Sequence, residues 1–145
     1  MIRPYQPDDR AEWLRMRRTL WPEWPDDMQE AEMREMLERP ELRAVLVHAR
    51  PGGGLGGFIE VHIRRRLNNA ASDRVAYVEG WYVDPDLRRQ GVGQALMEAA
   101  EDWAVGRGLT EIASDTDIDN LASQQAHEKL GFEEVYRLVH YLKDL

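Results

Sequence analysis

The chain reads Val83-Asp84-Pro85-Asp86-Leu87-Arg88-Arg89-Gln90-Gly91-Val92-Gly93-Gln94 between its strongest strand signal and its longest helix signal. The residues before it, 75–83, are rich in the β-branched and aromatic side chains that strands favour. The apolar residues after it recur at helical spacing, at Val92, Ala95, Leu96, Ala99, Ala100 and Trp103. The segment therefore predicts a strand, a turn that contains proline, and a helix that begins at two glycines.

This turn has the composition of a phosphate site. Gly91 and Gly93 let the backbone approach a ligand closely, and the first amides of a helix have no acceptor within the helix. The helix dipole adds positive potential, and Arg88 and Arg89 add full charges. Together these features indicate a pyrophosphate site; the alternative is a glycine-rich turn with solvated arginines. The segment matches neither the Gly-x-x-x-x-Gly-Lys-[Ser/Thr] loop nor the three-glycine dinucleotide fingerprint.

Helices and strands are expected on both sides of this segment. The further predicted elements are a first helix capped by Asp8 and Asp9 and ended by the prolines of residues 21–25, a helix over 28–37, strands over 44–47 and 58–63, a short strand near Ile112, a helix over about 120–129 and a last strand over 135–142. This order indicates an α+β fold or an α/β three-layer fold, with a mixed central sheet flanked by about four helices. We expect a single domain over residues 1–145.

The composition disfavours several classes of function. Of the 145 residues 43% are apolar, which suffices for one core, and the formal net charge of −8 suits a cationic small molecule better than a nucleic acid. The chain has no cysteine, so a thiolate zinc site and a cysteine nucleophile are excluded. The spacing of His48, His62 and His140 is not that of metal ligands, and no metal is expected. No apolar run approaches the length of a membrane span or a signal peptide, so we expect a cytoplasmic protein without a membrane partner.

Two segments resemble the GNAT N-acetyltransferases. Arg88-x-x-Gly91-x-Gly93, after a strand that ends in Val83-Asp84-Pro85, is similar to the acetyl-CoA loop of that family. Asn120, at the start of a helix that ends in Leu130-Gly131-Phe132, is similar to the start of the family's fourth helix, with His127 where a Tyr is usual. The resemblance implies the GNAT fold and an acetyl-CoA-dependent N-acetyltransferase.

A narrower resemblance is to the aminoglycoside 6'-N-acetyltransferases, which confer antibiotic resistance. Leu20-Trp21-Pro22, Glu79-Gly80 and Ala113-Ser114-Asp115 carry it. This resemblance implies that Trp21, Glu79 and Asp115 contact the aminoglycoside. It implies acetyl-CoA contacts from Trp81, Tyr82, Val83, Arg88, Arg89, Gln90, Gly91, Val92, Gly93, Gln94 and Asn120.

Three positions depart from the pattern of this subfamily. Some members have a His where this chain has Trp24, a Tyr near Leu67, and a Glu where this chain has Tyr136. Trp24 and Tyr136 are therefore expected substrate-binding positions with altered chemistry. Two alternatives stay open: a GNAT enzyme for another amine, such as a polyamine, an amino sugar or a peptide N-terminus, and a non-catalytic acyl-CoA-binding module.

Acyl transfer to an amine needs a neutral nitrogen, so a carboxylate or an ordered water must accept a proton. We expect Glu79 and Asp115 to bind the cationic amine, and Asp115 or a water that it orders to take the proton. The alternative for either residue is a carboxylate that only caps or pairs locally. The backbone N–H of Val83 is the expected donor to the oxyanion. Without a cysteine, direct attack in a ternary complex is expected.

Asn120 and His127 each have two interpretations. Asn120 hydrogen-bonds the pantetheine arm, as the resemblance implies, or Asp119 caps the helix and Asn120 is only first-turn structure. His127 protonates the departing thiolate in place of the usual Tyr, or it is a partly buried helix residue with a satisfied ring.

Two further segments complete the expectations. We expect Arg64-Arg65-Arg66 to be loop surface rather than a contact to the 3'-phosphate of CoA. The apolar tail from Tyr136 to Leu142 permits pairing with a second copy, and a homodimer is expected.

Overall fold

The computed structural model describes all 145 residues, Met1–Leu145. Its strands are β1 (Ile2–Pro4), β2 (Arg43–Ala49), β3 (Leu55–Arg65), β4 (Arg74–Val83) and β5 (Ile112–Ser114). Its α-helices are α1 (Arg10–Leu20), α2 (Asp26–Glu38), α3 (Val92–Gly106) and α4 (Leu121–Lys129). None of these helices is long and apolar enough to cross a bilayer. The order confirms the predicted fold class and the number of helices.

The five strands form one sheet in the order β1-β2-β3-β4-β5. The first four are antiparallel, whereas β4 and β5 are parallel, so the sheet is mixed as predicted. The sequence analysis does not predict β1, because a three-residue strand that contains proline carries little signal of its own. Its pairing with β2, from Ile2 opposite His48 to Pro4 opposite Leu46, defines it.

Each face of this sheet is covered by helices. On one face, α1 and α2 bury their apolar side chains against β2, β3 and β4 in a cluster that includes Trp13, Met16, Met33, Met36, Val45, Phe58 and Tyr82. On the other face, Ala104 of α3 lies in a cluster with Val61, Ile63 and Ala76. The alternation of β3, with Phe58 on one side and Val61 on the other, supplies both layers.

The chain divides into two compact units, Met1–Asp115 and Thr116–Leu145. In the second unit, α4 ends at a turn in which Gly131 has a φ of +93° and the amide of Phe132 donates to the carbonyl of His127. A left-handed glycine after the last turn is a common helix ending.

The predicted last strand over 135–142 is wrong. Residues 132–145 form neither helix nor strand, and apolar side chains such as Leu138 and Tyr141 are 77% and 86% exposed. A strand needs a neighbour for its backbone hydrogen bonds, and within its own unit this tail has no strand to pair with.

Candidate active site

Glu79 and Asp115 occupy equivalent positions where β4 and β5 stop pairing. Val78 opposite Ser114 is the last pair of the parallel ladder. Glu79 follows Val78 in β4, and Asp115 is the first residue after β5. Glu79 is also the extra residue of a bulge, because Val78 pairs with Val61 and Gly80 pairs with Glu60. A bulge bends a strand and re-aims its side chains. The topology thus brings two predicted site residues together.

Both carboxylates have local partners. The Arg64 guanidinium donates to both oxygens of Glu79, at 2.9 and 2.8 Å, and the Tyr77 hydroxyl donates to Oδ2 of Asp115. Nδ1 of His62 lies 3.6 Å from Glu79 Oε1, but burial and then the charge of Arg43 lower the pKa of His62, so the ring is neutral at pH 7.

Arg64 therefore differs from the rest of its basic cluster. The expectation of loop surface is wrong for it, because β3 continues to Arg65 and places Arg64 beside Glu79. Arg65 and Arg66 are exposed and lie close to Asp73. The contacts of Glu79 and Asp115 agree with the alternative in which these two carboxylates pair locally. Their contact with an acceptor amine stays a prediction.

A cleft of about 210 Å³ lies beside Glu79 on the α1/α2 face of the sheet. It is lined by Trp21, Trp24, Met36, Arg43, His62 and the four carboxylates Glu32, Glu35, Glu60 and Glu79. Three guanidinium groups, those of Arg17, Arg43 and Arg64, pair with these four carboxylates. The cleft therefore has an excess of one acidic group, which favours a cation.

Trp21 and Trp24 form the aromatic wall of this cleft. Their rings stack with centroids 4.8 Å apart and an angle of 11° between the planes. Trp21 reaches the sheet because Gly80 lacks a side chain: a Cβ there would lie 2.6 Å from the Trp21 ring. The two predicted tryptophans are therefore both cleft residues, and the Trp-Pro-Glu-Trp-Pro break after α1 positions them.

A buried ion pair between Arg17 and Glu60 lies next to Trp21. Arg17 is fully buried and donates to Glu60, Gln29 and Glu32, and its guanidinium lies 4.6 Å from the Trp21 ring centroid. Glu60 also accepts from the indole of Trp13 at 3.0 Å. Burial raises the pKa of the Glu60 carboxyl, and the charge of Arg17 opposes that shift.

The sequence analysis missed most of these cleft residues. Arg17 occupies the apolar face of α1, four residues after Trp13, and Glu60 occupies an apolar strand two residues after Phe58. A lone charge on each of two apolar faces, with opposite signs, is a signal for a buried pair. Glu32 and Glu35 carry no such signal, because charged residues on a helix are ordinary.

The loop before α3 is built from backbone groups. Gly91 has a φ of +85°, which favours a residue without a Cβ. The first bond of the helix joins the amide of Ala95 to the carbonyl of Gly91. The amides of Val92, Gly93 and Gln94 therefore have no acceptor in α3, and they point out of its positive end. This geometry fits a diphosphate.

Side chains around this loop hold its shape. Arg88 Nε donates to the Val83 carbonyl at 3.0 Å, and Gln90 Nε2 donates to the Asp86 carbonyl at 2.8 Å. The Trp81 indole donates to the Gly93 carbonyl at 3.1 Å. A fourth predicted cofactor residue, Gln94, donates from Nε2 to Glu98 of α3 at 2.8 Å.

Asp84 fastens the start of the loop to the rest of the unit. It is buried and accepts hydrogen bonds from Arg15 and Arg50. Burial tends to raise the pKa of Asp84, but the hydrogen bonds from these two guanidinium groups outweigh it and lower the pKa overall.

The backbone of β4 directs the Val83 amide away from β3. The Asp84 amide donates to the Gly56 carbonyl at 2.8 Å, so Gly57 opposite Val83 is a pair without mutual hydrogen bonds. The N–H of Val83 consequently points to the side of β4 that β5 pairs with only at Ala76–Val78. The Tyr82 side chain packs in the α1/α2 core, on one face of the sheet.

The second unit carries Asn120, His127 and Tyr136. Asn120 is the N-cap of α4 and its Oδ1 accepts from the Ser123 amide at 3.0 Å, so the alternative in which Asp119 caps this helix is wrong. His127 Nδ1 lies 2.7 Å from the Ser123 carbonyl. Tyr136 is exposed in the tail.

The chain also matches a known protein family. The model of the acetyltransferase (GNAT) family matches residues 13–132. The chain belongs to the GNAT family. The match includes β4, the loop before α3 and α4, so the fold and the family expected from the sequence are both confirmed.

Two curated relatives cover nearly the whole chain. An aminoglycoside N(6')-acetyltransferase type 1 of Klebsiella aerogenes is 46% identical over 100% of this chain and 97% of its own length. An enzyme of the same name from Serratia marcescens is 40% identical over 95% of this chain and 94% of its own length.

Solved structures agree with these relatives. AAC(6')-Iy, in complex with the bisubstrate analogue CoA-S-monomethyl-acetylneamine, has a TM-score of 0.90 and 35% identity, with 100% of this chain and 98% of that chain covered. The apo aminoglycoside 6'-N-acetyltransferase AAC(6')-IG from Acinetobacter haemolyticus has a TM-score of 0.90 and 32% identity, with 100% and 99% covered. Each of these two solved GNAT structures therefore matches this chain over its entire length.

Proposed function

We propose that this GNAT protein is an aminoglycoside 6'-N-acetyltransferase. It transfers the acetyl group of acetyl-CoA to the 6'-amine by direct attack in a ternary complex, and thereby confers resistance to the antibiotic. Residues 1–145 act as one catalytic domain; the family match over residues 13–132, which spans both compact units, supports this.

The observation that carries the proposal is the acidic, indole-walled cleft beside Glu79 in a chain whose relatives bear this enzyme's name. An aminoglycoside is a polycation built from sugar rings. The lining carboxylates outnumber the guanidinium groups that pair with them and so attract its ammonium groups, and the faces of Trp21 and Trp24 suit both ammonium groups and sugar rings. Trp21, Trp24, Glu79, Asp115 and Tyr136 are the proposed substrate-binding residues.

Acetyl-CoA supplies the thioester, and we propose that residues 81–83, 88–94 and Asn120 bind it. Glu79 and Asp115 bind the ammonium group, and Asp115 or a water that it orders takes one proton. The neutral nitrogen then attacks the thioester carbon while the Val83 N–H donates to the developing oxyanion, a contribution of about 3 kcal/mol. The N–C bond forms and the C–S bond breaks. The nitrogen gives up a second proton as the neutral amide forms, and CoA leaves as a thiolate that takes up a proton.

His127 is the proposed donor of that last proton. Because its Nδ1 faces the Ser123 carbonyl at 2.7 Å, the proton of the neutral ring sits on Nδ1 and Nε2 is an acceptor. The ring donates from Nε2 only when both nitrogens are protonated. Full turnover by a His127→Ala variant contradicts this role.

A panel of acceptor amines tests the proposed function. CoA release is measured with acetyl-CoA and three classes of acceptor: aminoglycosides, linear polyamines and peptide N-termini. We expect release with aminoglycosides that carry a 6'-amine and none with matched aminoglycosides that carry a 6'-hydroxyl. Release only with polyamines or peptides contradicts the drug assignment, and acetyl-CoA binding without release on any amine indicates a non-catalytic module.

We further propose that the enzyme is a cytoplasmic homodimer, since the cytoplasm supplies acetyl-CoA. The exposed apolar side chains of the tail, which include Leu138, Tyr141 and Leu142, support pairing with a second copy. Light scattering of the full chain is expected to give twice the mass of 16.9 kDa. A Leu138→Glu, Leu142→Glu variant should give the monomer mass; a wild-type monomer contradicts the proposal.

A further inference from the structure

One chain of contacts joins the two carboxylates of the candidate active site. Arg64 donates to both oxygens of Glu79, at 2.9 and 2.8 Å. The same guanidinium lies 3.8 Å from the centroid of the Tyr77 ring. The Tyr77 hydroxyl donates to Oδ2 of Asp115. Tyr77 therefore contacts both the Arg64–Glu79 pair and Asp115.

The hydroxyl of Tyr77 restricts an otherwise free carboxylate. Asp115 is exposed at the end of β5, and an exposed aspartate samples several rotamers. A hydrogen bond to Oδ2 selects one of them and leaves Oδ1 for a further donor. Burial, and then the hydrogen bond to Asp115, raise the pKa of Tyr77, so its hydroxyl stays protonated and acts as a donor.

The ring of Tyr77 restricts the other carboxylate. Glu79 and Arg64 have side-chain exposures of 25% and 41%, so the guanidinium would have free rotamers without a surface to lie on. Stacking on the ring orients its planar fork, and the fork orients Glu79. A carboxylate has about four lone-pair sites, so Glu79 keeps acceptor capacity for an ammonium group after Arg64 has taken two.

We propose that Tyr77 is a positioning residue for the acceptor amine, which fixes Asp115 through its hydroxyl and Glu79 through the Arg64 guanidinium stacked on its ring. The inference rests on the proposed function in that both carboxylates meet the acceptor ammonium. It assigns to Tyr77 and Arg64 a role in acceptor binding and none in acetyl-CoA binding.

Tyr77→Phe and Arg64→Met separate the two halves of this arrangement. Tyr77→Phe keeps the ring under Arg64 and removes only the donor to Asp115. Arg64→Met removes the fork and keeps an apolar stem of similar length. The matched controls are Tyr5→Phe, whose hydroxyl makes no side-chain hydrogen bond, and Arg65→Met, whose guanidinium pairs with exposed Asp73.

The test is steady-state kinetics with the concentrations of the acceptor and of acetyl-CoA varied in turn. The ratios of interest are those of variant to wild type for kcat/KM of the acceptor and for the KM of acetyl-CoA. We expect each site variant to lower kcat/KM for the acceptor about tenfold or more, the effect of a hydrogen bond to a charged group. The KM for acetyl-CoA and the thermal unfolding midpoint should match those of the controls. In an Asp115→Asn background, Tyr77→Phe should cause no further loss, because the hydroxyl acts through Asp115.

Three results overturn the inference. The first is wild-type kinetics in Tyr77→Phe, and the second is an increase in the KM for acetyl-CoA as large as the decrease in kcat/KM for the acceptor. The third is that Tyr77→Phe lowers kcat/KM for the acceptor as much in the Asp115→Asn background as in the wild type. If the wild-type enzyme acetylates a different class of amine, the proposed drug is wrong, and the same ratios are measured with that amine. If no amine is acetylated, calorimetric titration with an aminoglycoside decides, because the inference expects weaker binding to Tyr77→Phe and equal affinities contradict it.

Discussion

The cleft beside Glu79 presents charged side chains to a ligand, whereas the loop before α3 presents backbone amides. The cleft carboxylates pair with arginines of other helices or strands, as Glu60 does with Arg17 and Glu79 with Arg64. The loop depends on a helix start and on the conformation of Gly91. Single side-chain substitutions should therefore damage the cleft more than the loop, and changes in backbone conformation should damage the loop.

The largest effect is expected on stability, from loss of the buried ion pair between Arg17 and Glu60. Arg17→Leu leaves the buried Glu60 carboxylate without its cation, and removal of one partner of a buried pair costs about 3–5 kcal/mol. Urea unfolding should show this loss of stability. Arg18→Leu, on the exposed side of the same helix, is the control and should unfold near the wild-type midpoint; equal midpoints for both variants refute the structural role of the pair.

Loss of the Asp115 carboxylate is expected to affect turnover rather than stability. Asp115→Asn removes the proposed proton acceptor, and general base catalysis contributes about 100-fold or more. The measurement is kcat at saturating acceptor across a range of pH. Asp117→Asn, two residues further along, is the control. Unchanged turnover of Asp115→Asn at every pH would remove this residue from the mechanism.

The loop is tested by a change in backbone preference. Gly91→Ala adds a Cβ that meets no other atom, but the φ of +85° disfavours any L side chain by about 1–2 kcal/mol. We expect about tenfold weaker acetyl-CoA binding by calorimetry, because the amides of the first turn lose their alignment. Gly106→Ala, at the other end of α3, has open space and an ordinary φ and should bind normally.

The smallest effect concerns the pH dependence of stability. The pKa of Asp84 is lowered in the folded state, so its contribution to stability is present above the unfolded pKa of about 3.9 and is lost as the pH falls through the lower folded value. The difference in unfolding free energy between wild type and Asp84→Asn should narrow from pH 6 to pH 3. A constant difference would show that Asp84 is not coupled to Arg15 and Arg50.

The sequence predicts the loop because its parts are contiguous. Gly91 and Gly93 lie within one turn of the helix that they begin, so local spacing carries the geometry. Glu79, Asp115 and Trp21 were identified through resemblance, and the bulge at Glu79 explains how the first of them leaves the regular strand. Arg17 and Glu60 are 43 positions apart in the chain. A lone charge on an apolar face indicates that each needs a buried partner, but local spacing does not specify which residue that partner is.

In the C-terminal tail, local composition predicted a strand that does not form. The apolar residues of 135–142 have strand composition, yet this segment forms no strand. Strand propensity describes a side chain's fit to a sheet, and a sheet exists only where a neighbouring strand takes up the backbone hydrogen bonds.

The amino-acid sequence by itself determined the class of fold, the order of most elements, the start of α3 and the charge of −8 that suits a cationic ligand. These features depend on periodicity, glycine and proline chemistry and composition, all of which act over a few residues or over the whole chain. Only the tertiary structure decided which charges meet, namely Arg17 with Glu60, Arg64 with Glu79 and Tyr77 with Asp115. The physical reason is that strand register and helix packing bring distant residues within hydrogen-bonding distance.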